Sequence, residues 1–286
     1  RRGLVVAEVA LAVMLVIGAG LMLRSFWKLM QFDSGFDREN LTTFGLVLPP
    51  AKYQEQPRRV AFFNELTTRL RAVPGIQSAA AMSGLPPFRE VNANDTQFEN
   101  YQHVEGGPPA NVDYYQAATV DYTTAMKIPV LEGRTFGPQD GATSTPVVVV
   151  NETLAKMYWP KESAIGHRVR VCCGDQIPWA TIEGVVKDVK QGGIDQKTGT
   201  EIYFLNDQTV ALFGRATGNM NVVTAKRKRA IDTTRKTHAN RTLSLPLGSS
   251  RLAVRGLRAS MSRSTIRLND IAADRAPTIA SVIQRI

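Results

Sequence analysis

Leu41-Thr-Thr-Phe44-Gly-Leu46-Val47-Leu48 is followed by Val60, Phe63, Leu66 and Leu70 at steps of 3, 3 and 4, and then by Ile76 to Met82. The first segment is rich in β-branched and aromatic residues and is stopped by Pro49-Pro50, which predicts a strand. The second opens at Pro57 and sets Arg58, Arg59, Arg69 and Arg71 among its apolar positions, which predicts an amphipathic helix with a solvated basic side. Pro74-Gly75 ends it, and Ile76 to Met82 reads as the next strand. Together they make a β-α-β unit of ordinary length.

Downstream, Ser83 to Pro109 is rich in Gly and Pro and reads as loop. Tyr114 to Val120 then reads as strand, Asp121 to Met126 as a short helix or turn, and Val147 to Val150 as a buried strand. Asn151 is placed to cap a helix whose first turn holds Glu152, whose apolar face is Leu154, Met157 and Tyr158, and which stops at Pro160. Val169–Val171, Thr181–Val186 and Glu201–Phe204 read as further strands. The expected fold class is α+β, with a mixed sheet, β-α-β units and more strand than helix, on one core.

Upstream lies an apolar run. Gly3 to Leu23 contains eleven Leu, Ile or Val, two Met, four Ala, three Gly and one acid, Glu8. As a helix it spans roughly 30 Å, the thickness of a bilayer core. Eleven strong apolar side chains favour insertion by roughly 3 to 7 kcal/mol, against a cost of up to about 3 kcal/mol for Glu8. Phe26 and Trp27 suit the headgroup belt, and the length of the run argues for a retained transmembrane helix over a cleaved signal peptide. Arg1 and Arg2 on one side balance Arg24 and Lys28 on the other, so charge leaves the orientation open. For Glu8, helix packing is favoured over proton transport.

The chain has 286 residues, 35 Lys+Arg against 25 Asp+Glu, and only 2 Cys, which excludes a disulfide scaffold and a wholly disordered chain. Its charge is uneven. Residues 1–204 hold 20 basic and 21 acidic groups, whereas 205–286 hold 15 and 4, so the whole excess sits in the last segment. No Gly-x-x-x-x-Gly-Lys-Ser/Thr loop is present. His103, His167 and His238 lack metal-ligand spacing, with His167 read as a solvated turn residue, and the vicinal Cys172 and Cys173 bridge only through a strained ring. Ser83 and Ser163 lack a nucleophile elbow, and Asp113, Asp121, Asp140 and Asp188 are scattered. Gly133, Gly184 and Gly192-Gly193 are assigned to turns and bulges. No catalytic, cofactor-binding or metal-ligating residue is nominated, and the expectation is a protein that is not an enzyme.

The ordered motifs resemble a known family. Leu4-Val-Val-Ala-Glu8 running on to Gly20-Leu-Met-Leu-Arg24-Ser25-Phe26 looks like the transmembrane entry to a MacB/FtsX-type ABC transporter permease. Gly35-Phe36-Asp37, Val73-Pro74-Gly75-Ile76, Ala125-Met126-Lys-Ile128-Pro129, Gly133-Arg134-Thr-Phe136 and Val149-Val150-Asn151-Glu152 fit the segments that succeed that entry in the family. So do Ile165-Gly166-His-Arg168-Val169, Ile182-Glu-Gly184-Val185-Val186-Lys-Asp188-Val189 and Glu201-Ile202-Tyr203. Over residues 1–207 the pattern is similar to a MacB-like periplasmic core domain, in the manner of the second half of an acidobacterial-type duplicated permease. With a single apolar stretch of membrane length the expectation is a single-pass protein, and the resemblance implies the bacterial inner membrane, a cytoplasmic N-terminus and an extracytoplasmic domain, although the family itself continues into further spans. It implies an ABC ATPase, further permease helices, a periplasmic adaptor and membrane lipid as partners; no nucleic acid and no cofactor are expected. It also implies that the domain transmits ATP-driven motion for export of small molecules, peptides or lipoproteins, the helix acting as stalk and lever. An anchored binding or sensor module that works without an ATPase is the alternative.

The expected organisation is therefore a transmembrane helix over 3–23, a core domain over 30–207 and a basic tail over 208–286. Phe213 is the last aromatic residue, Lys226-Arg-Lys-Arg229 is a basic run, and no later apolar stretch approaches 18 residues. Low aromatic content and high net charge predict a disordered or loosely folded tail, with a basic patch for anionic lipid or nucleic acid, or a degenerate, frame-disrupted remnant, as the other readings.

Overall fold

The computed structural model describes residues 2–101, 110–171, 176–193 and 195–226, and the backbone of Thr265–Arg267. His103, Cys172, Cys173, His238, Gly106-Gly107-Pro108-Pro109 and, in the basic tail, residues 227–264 and 268–286 lie outside the described residues. The apolar run forms one helix, α1 (Arg2–Met30), with no buried residue and long enough to cross a membrane. Its length is roughly 43 Å at 1.5 Å per residue, so it continues past the apolar span through Arg24, Phe26, Trp27 and Lys28.

β1 (Leu41–Val47), α2 (Gln56–Arg71) and β2 (Ile76–Met82) come after it, as the sequence predicts. The strands β3 (Asn94–Phe98), β4 (Asn111–Val112) and β5 (Tyr114–Ala118) come next, then α3 (Tyr122–Met126) and β6 (Val130–Gly133). The second half is β7 (Val147–Asn151), α4 (Glu152–Tyr158), β8 (Arg168–Val171), β9 (Ala180–Val186) and β10 (Glu201–Leu205). A 3₁₀ turn at Asn206–Gln208 leads into α5 (Thr209–Phe213), β11 (Asn219–Lys226) and the short β12 (Thr265–Arg267).

The strands run in the order β12-β1-β11-β2-β5-β10-β7-β9-β8-β3-β4, with β6 paired to β9. The mixed α+β fold is as expected, with three local differences. β1 and β2 are not neighbours: β11 lies between them, antiparallel to both. The sheet thus extends beyond the expected domain end at 207, because β11 is rich in β-branched residues and fills a gap made some 140 residues earlier. The loop-rich segment 83–109 also holds a strand, β3, which pairs antiparallel with β8 and buries Thr96 and Phe98 on alternate positions. Its polar composition hides the period.

Both faces of the central strands are covered, so those strands read as continuous apolar runs instead of alternating ones. One face of β7 and β10, with Val147, Val149, Tyr203 and Leu205, packs with Tyr122 and Met126 of α3 and with Ala80, Met82 and Val223. On the opposite face two separate clusters form. Phe62, Phe63, Leu66 and Leu70 of α2 cover Leu46, Ala79, Ala81 and Val222, while Leu154 and Tyr158 of α4 cover Val148, Val150, Ile182 and Ile202. Met157, expected on the apolar face of α4, is exposed, because the helix spans only seven residues and buries one narrow stripe. Asn151 caps α4 as predicted, its Oδ1 accepting from Leu154 N at 3.1 Å.

Candidate functional site

The end of α1 is docked onto the domain by residues 31–37. Gln31 N donates to Trp27 O at 3.1 Å and Phe32 N to Leu29 O at 3.4 Å, closing the helix. The chain then turns at Gly35, which has φ +83°. A Cβ there would stand 1.9 Å from Asp188 O, so only glycine allows the backbone to lie this close to the segment after β9. Lys190 N donates to Ser34 O at 3.1 Å, and Asp37 N donates to Met126 O at 3.0 Å. Asp33 ion-pairs with Lys187, and Asp37 with Lys127. The Lys187 hydrogen bond, with one from Gly35 N at 2.8 Å, holds the Asp33 carboxyl below the usual carboxylate range. Asp33 is exposed and Lys187 partly so, and the pair orients more than it stabilises. The firm attachment is the main-chain contact at buried Ser34 and Gly35.

Behind this joint lies a polar network. Asp188 Oδ1 accepts from Thr153 N at 2.9 Å and Asn151 Nδ2 at 2.8 Å, and its Oδ2 accepts from Thr153 Oγ1 at 2.7 Å. Asn151 Oδ1 also accepts from Glu201 N at 2.9 Å. The Glu201 carboxylate is fully buried at the head of β10. It accepts from Gln191 Nε2 at 2.8 and 2.9 Å, from Tyr203 OH at 2.7 Å, and from Arg89 Nη1 at 3.2 Å. Burial pushes the Glu201 carboxyl up to about 7, while the Arg89 guanidinium pulls the other way. Arg89 also donates from Nη2 to Tyr115 O at 2.8 Å, and its backbone N donates to Gln191 O at 2.9 Å. Contacts therefore run without a break from Ser34-Gly35, through 187–191 and Asn151, to Glu201 and Arg89.

Arg89 lines two cavities. The larger, about 840 Å³, opens between the α2 and α4 clusters. Its floor is Tyr115, Phe204 and Phe213, and its charged lining is Arg59, Arg89, Arg215 and Asp95. The smaller, about 510 Å³, is bordered by Asp113, Tyr114, Thr153 and Thr200.

The other residues weighed in the sequence are separated. Asp113 is held by Thr200 N at 2.8 Å, Asp121 pairs with Arg71, and Asp140 forms a fork with Arg134 at 2.6 and 3.0 Å. His167 is only partly exposed and stacks on Trp159 with ring centres 4.9 Å apart, which corrects its reading as a solvated turn residue. Ser83 Oγ meets Gln116 and Ala117 N, and Ser163 Oγ meets Glu132. Gly184 lies beside β6, where a Cβ would stand 2.1 Å from Arg134 O. Among the described residues no three His, Cys, Asp or Glu side chains gather as a metal site. Sequence reasoning missed Arg89 and the Glu201 carboxylate. An acid heading the apolar run Ile202-Tyr-Phe-Leu205 was a usable signal, whereas Arg89 in a Pro-rich loop gave none.

The family model described as the MacB-like periplasmic core domain matches residues 3–241. The crystal structure of the periplasmic region of MacB from Actinobacillus actinomycetemcomitans is similar at 15% identity, covering 73% of this chain and 84% of that one, with a TM-score of 0.44. The extracellular domain of the noncanonic ABC-type transporter YknZ from Gram-positive bacteria is similar at 20% identity, covering 68% and 88%, with a TM-score of 0.42. No curated protein matches the chain.

Proposed function

On the premise that this chain belongs to the MacB-like periplasmic core domain family of ABC transporter permeases, we propose that its domain relays motion produced by an ABC ATPase across the membrane. The observation that carries this reading is the joint. A free tether would leave the domain indifferent to movement of α1, whereas buried Ser34 and Gly35 bind the helix end to residues 188–190, and Asp37 binds it to Met126, by main-chain contacts. A lever needs such a stiff attachment at its load end. In this proposal the N-terminus is cytoplasmic, the membrane is the bacterial inner membrane, and the domain stands outside it. The partners are an ATPase, further permease helices, membrane lipid and a periplasmic adaptor, and the cargo is exported.

Two measurements test the reading. A tagged chain extracted from its own membranes should bring down an ABC ATPase. Gly35→Val should cut ATP-dependent export by roughly tenfold or more while the domain still melts cooperatively, since the clash with Asp188 O forces the joint open and leaves the sheet untouched. Full export with Gly35→Val would refute the lever. Absence of any ATPase, with a kinase or regulator recovered instead, would favour the anchored sensor.

A further inference from the structure

The large cavity has a chemistry of its own. Its floor is an aromatic triad: Tyr115 and Phe204 have ring centres 4.9 Å apart, Phe204 and Phe213 4.8 Å, and Tyr115 and Phe213 5.9 Å. Tyr115 is held by its hydroxyl, 2.6 Å from Thr96 Oγ1, and Phe204 is buried in β10. Three arginines, Arg59, Arg89 and Arg215, line the same cavity, and they are not equivalent. Arg89 is already engaged, by the Glu201 carboxyl at 3.2 Å and by Tyr115 O at 2.8 Å. Arg59 donates to neutral acceptors only, Tyr53 O at 2.8 Å, Gln56 Oε1 at 3.4 Å and Ala216 O at 3.1 Å. Arg215 is exposed, and among the described residues neither it nor Arg59 pairs with a carboxylate. Against them the lining supplies one acid, Asp95. A volume of about 840 Å³ lies within the ordinary range of small-molecule sites, which runs from about 300 to 1,000 Å³.

We propose that this cleft binds an amphipathic anion, its phosphate or carboxylate held by Arg215 and Arg59 and its apolar body laid on Tyr115, Phe204 and Phe213. Guanidinium forks suit both head groups, and desolvation against the aromatic floor strengthens the pairing. The proposal deepens the export reading by giving the domain a ligand class, and it rests on that reading only for the ligand's purpose. Arg89 belongs to the cleft and to the Glu201 network, so an occupant would touch the same contacts that run to the joint.

The test is isothermal titration of the full chain in phosphatidylcholine nanodiscs, with empty nanodiscs as blank. The probes are 1-naphthyl phosphate, 1-naphthoate and the cation 1-naphthylmethylammonium, all water-soluble. At least one anion should bind near 1:1 with a Kd below about 1 mM, and the cation should bind at least tenfold more weakly. Preference for the phosphate would indicate a phosphorylated lipid-like source, and preference for the carboxylate a fatty-acid-like one. Arg215→Glu should weaken the anion by roughly tenfold and Phe213→Ala by several-fold. Lys161→Glu, the same charge change outside the cleft, should leave binding unchanged. Equal binding of cation and anions, no binding at all, or equal losses in Arg215→Glu and Lys161→Glu would each overturn the site. Anion binding in a chain that recovers no ATPase would uphold the cleft and remove only the transport reading.

Discussion

Glu201→Gln isolates the ionisation of the buried centre. The carboxyl sits at about 7 in the folded protein, against an ordinary value of 4.5. Below pH 4.5 both folded and unfolded chains hold the proton. Between 4.5 and 7 the unfolded chain releases it and the folded chain keeps it, so stability falls as pH rises, and it levels off above 7. At about 1.4 kcal/mol per pH unit the loss is about 3 kcal/mol. The titratable groups facing this carboxyl are Arg89 and Asp188, which are charged, and the neutral hydroxyls of Tyr203 and Tyr122. Burial moves both tyrosines further from the window, and Asp33 and Asp140, held low by Lys187 and Arg134, act below it. Glutamine mimics the protonated acid in shape and charge. The variant should therefore match the wild type near pH 5 and exceed it by up to about 3 kcal/mol at pH 8. Urea unfolding of the purified chain, followed by tryptophan fluorescence from pH 4.5 to 8, checks this. An unchanged slope in Glu201→Gln, or a wild-type stability that rises across the window, would mean that Arg89 holds the carboxyl ionised and that the burial argument fails.

Asn151→Ala removes the cap of α4 and the acceptor of Glu201 N together, and should cost about 2 to 4 kcal/mol in the same unfolding experiment. Leu66→Ala, at a fully buried position under β1 and β2, should cost about 2 to 5 kcal/mol. We propose that the folded unit ends after β11. Residues 30–226 made without α1 should then show a cooperative thermal melt by circular dichroism, whereas 30–207, which leaves the facing edges of β1 and β2 unpaired, should not.

Much of the architecture was legible because it is local. The run Gly3–Leu23, the step pattern of Val60, Phe63, Leu66 and Leu70, and the cap at Asn151 each carry their physics within a few residues. β3 stayed hidden because Asn94, Asp95 and Gln97 are polar and only Thr96 and Phe98 turn inward. β11 was missed for another reason. It is strand-like in isolation, but nothing near it in the chain says that it belongs between β1 and β2.

The sequence by itself determined a membrane-length helix and an α+β body with strands buried on both faces, since hydrophobic period and turn residues act at short range. Only the tertiary structure decided where charge and strain meet. Asp33 reaches Lys187 across 154 positions, and Arg89 reaches Glu201 across 112. Such contacts depend on which strands lie side by side, a choice made by the packing of the whole sheet. The joint, the buried acid and the arginine-rimmed cleft are products of that choice.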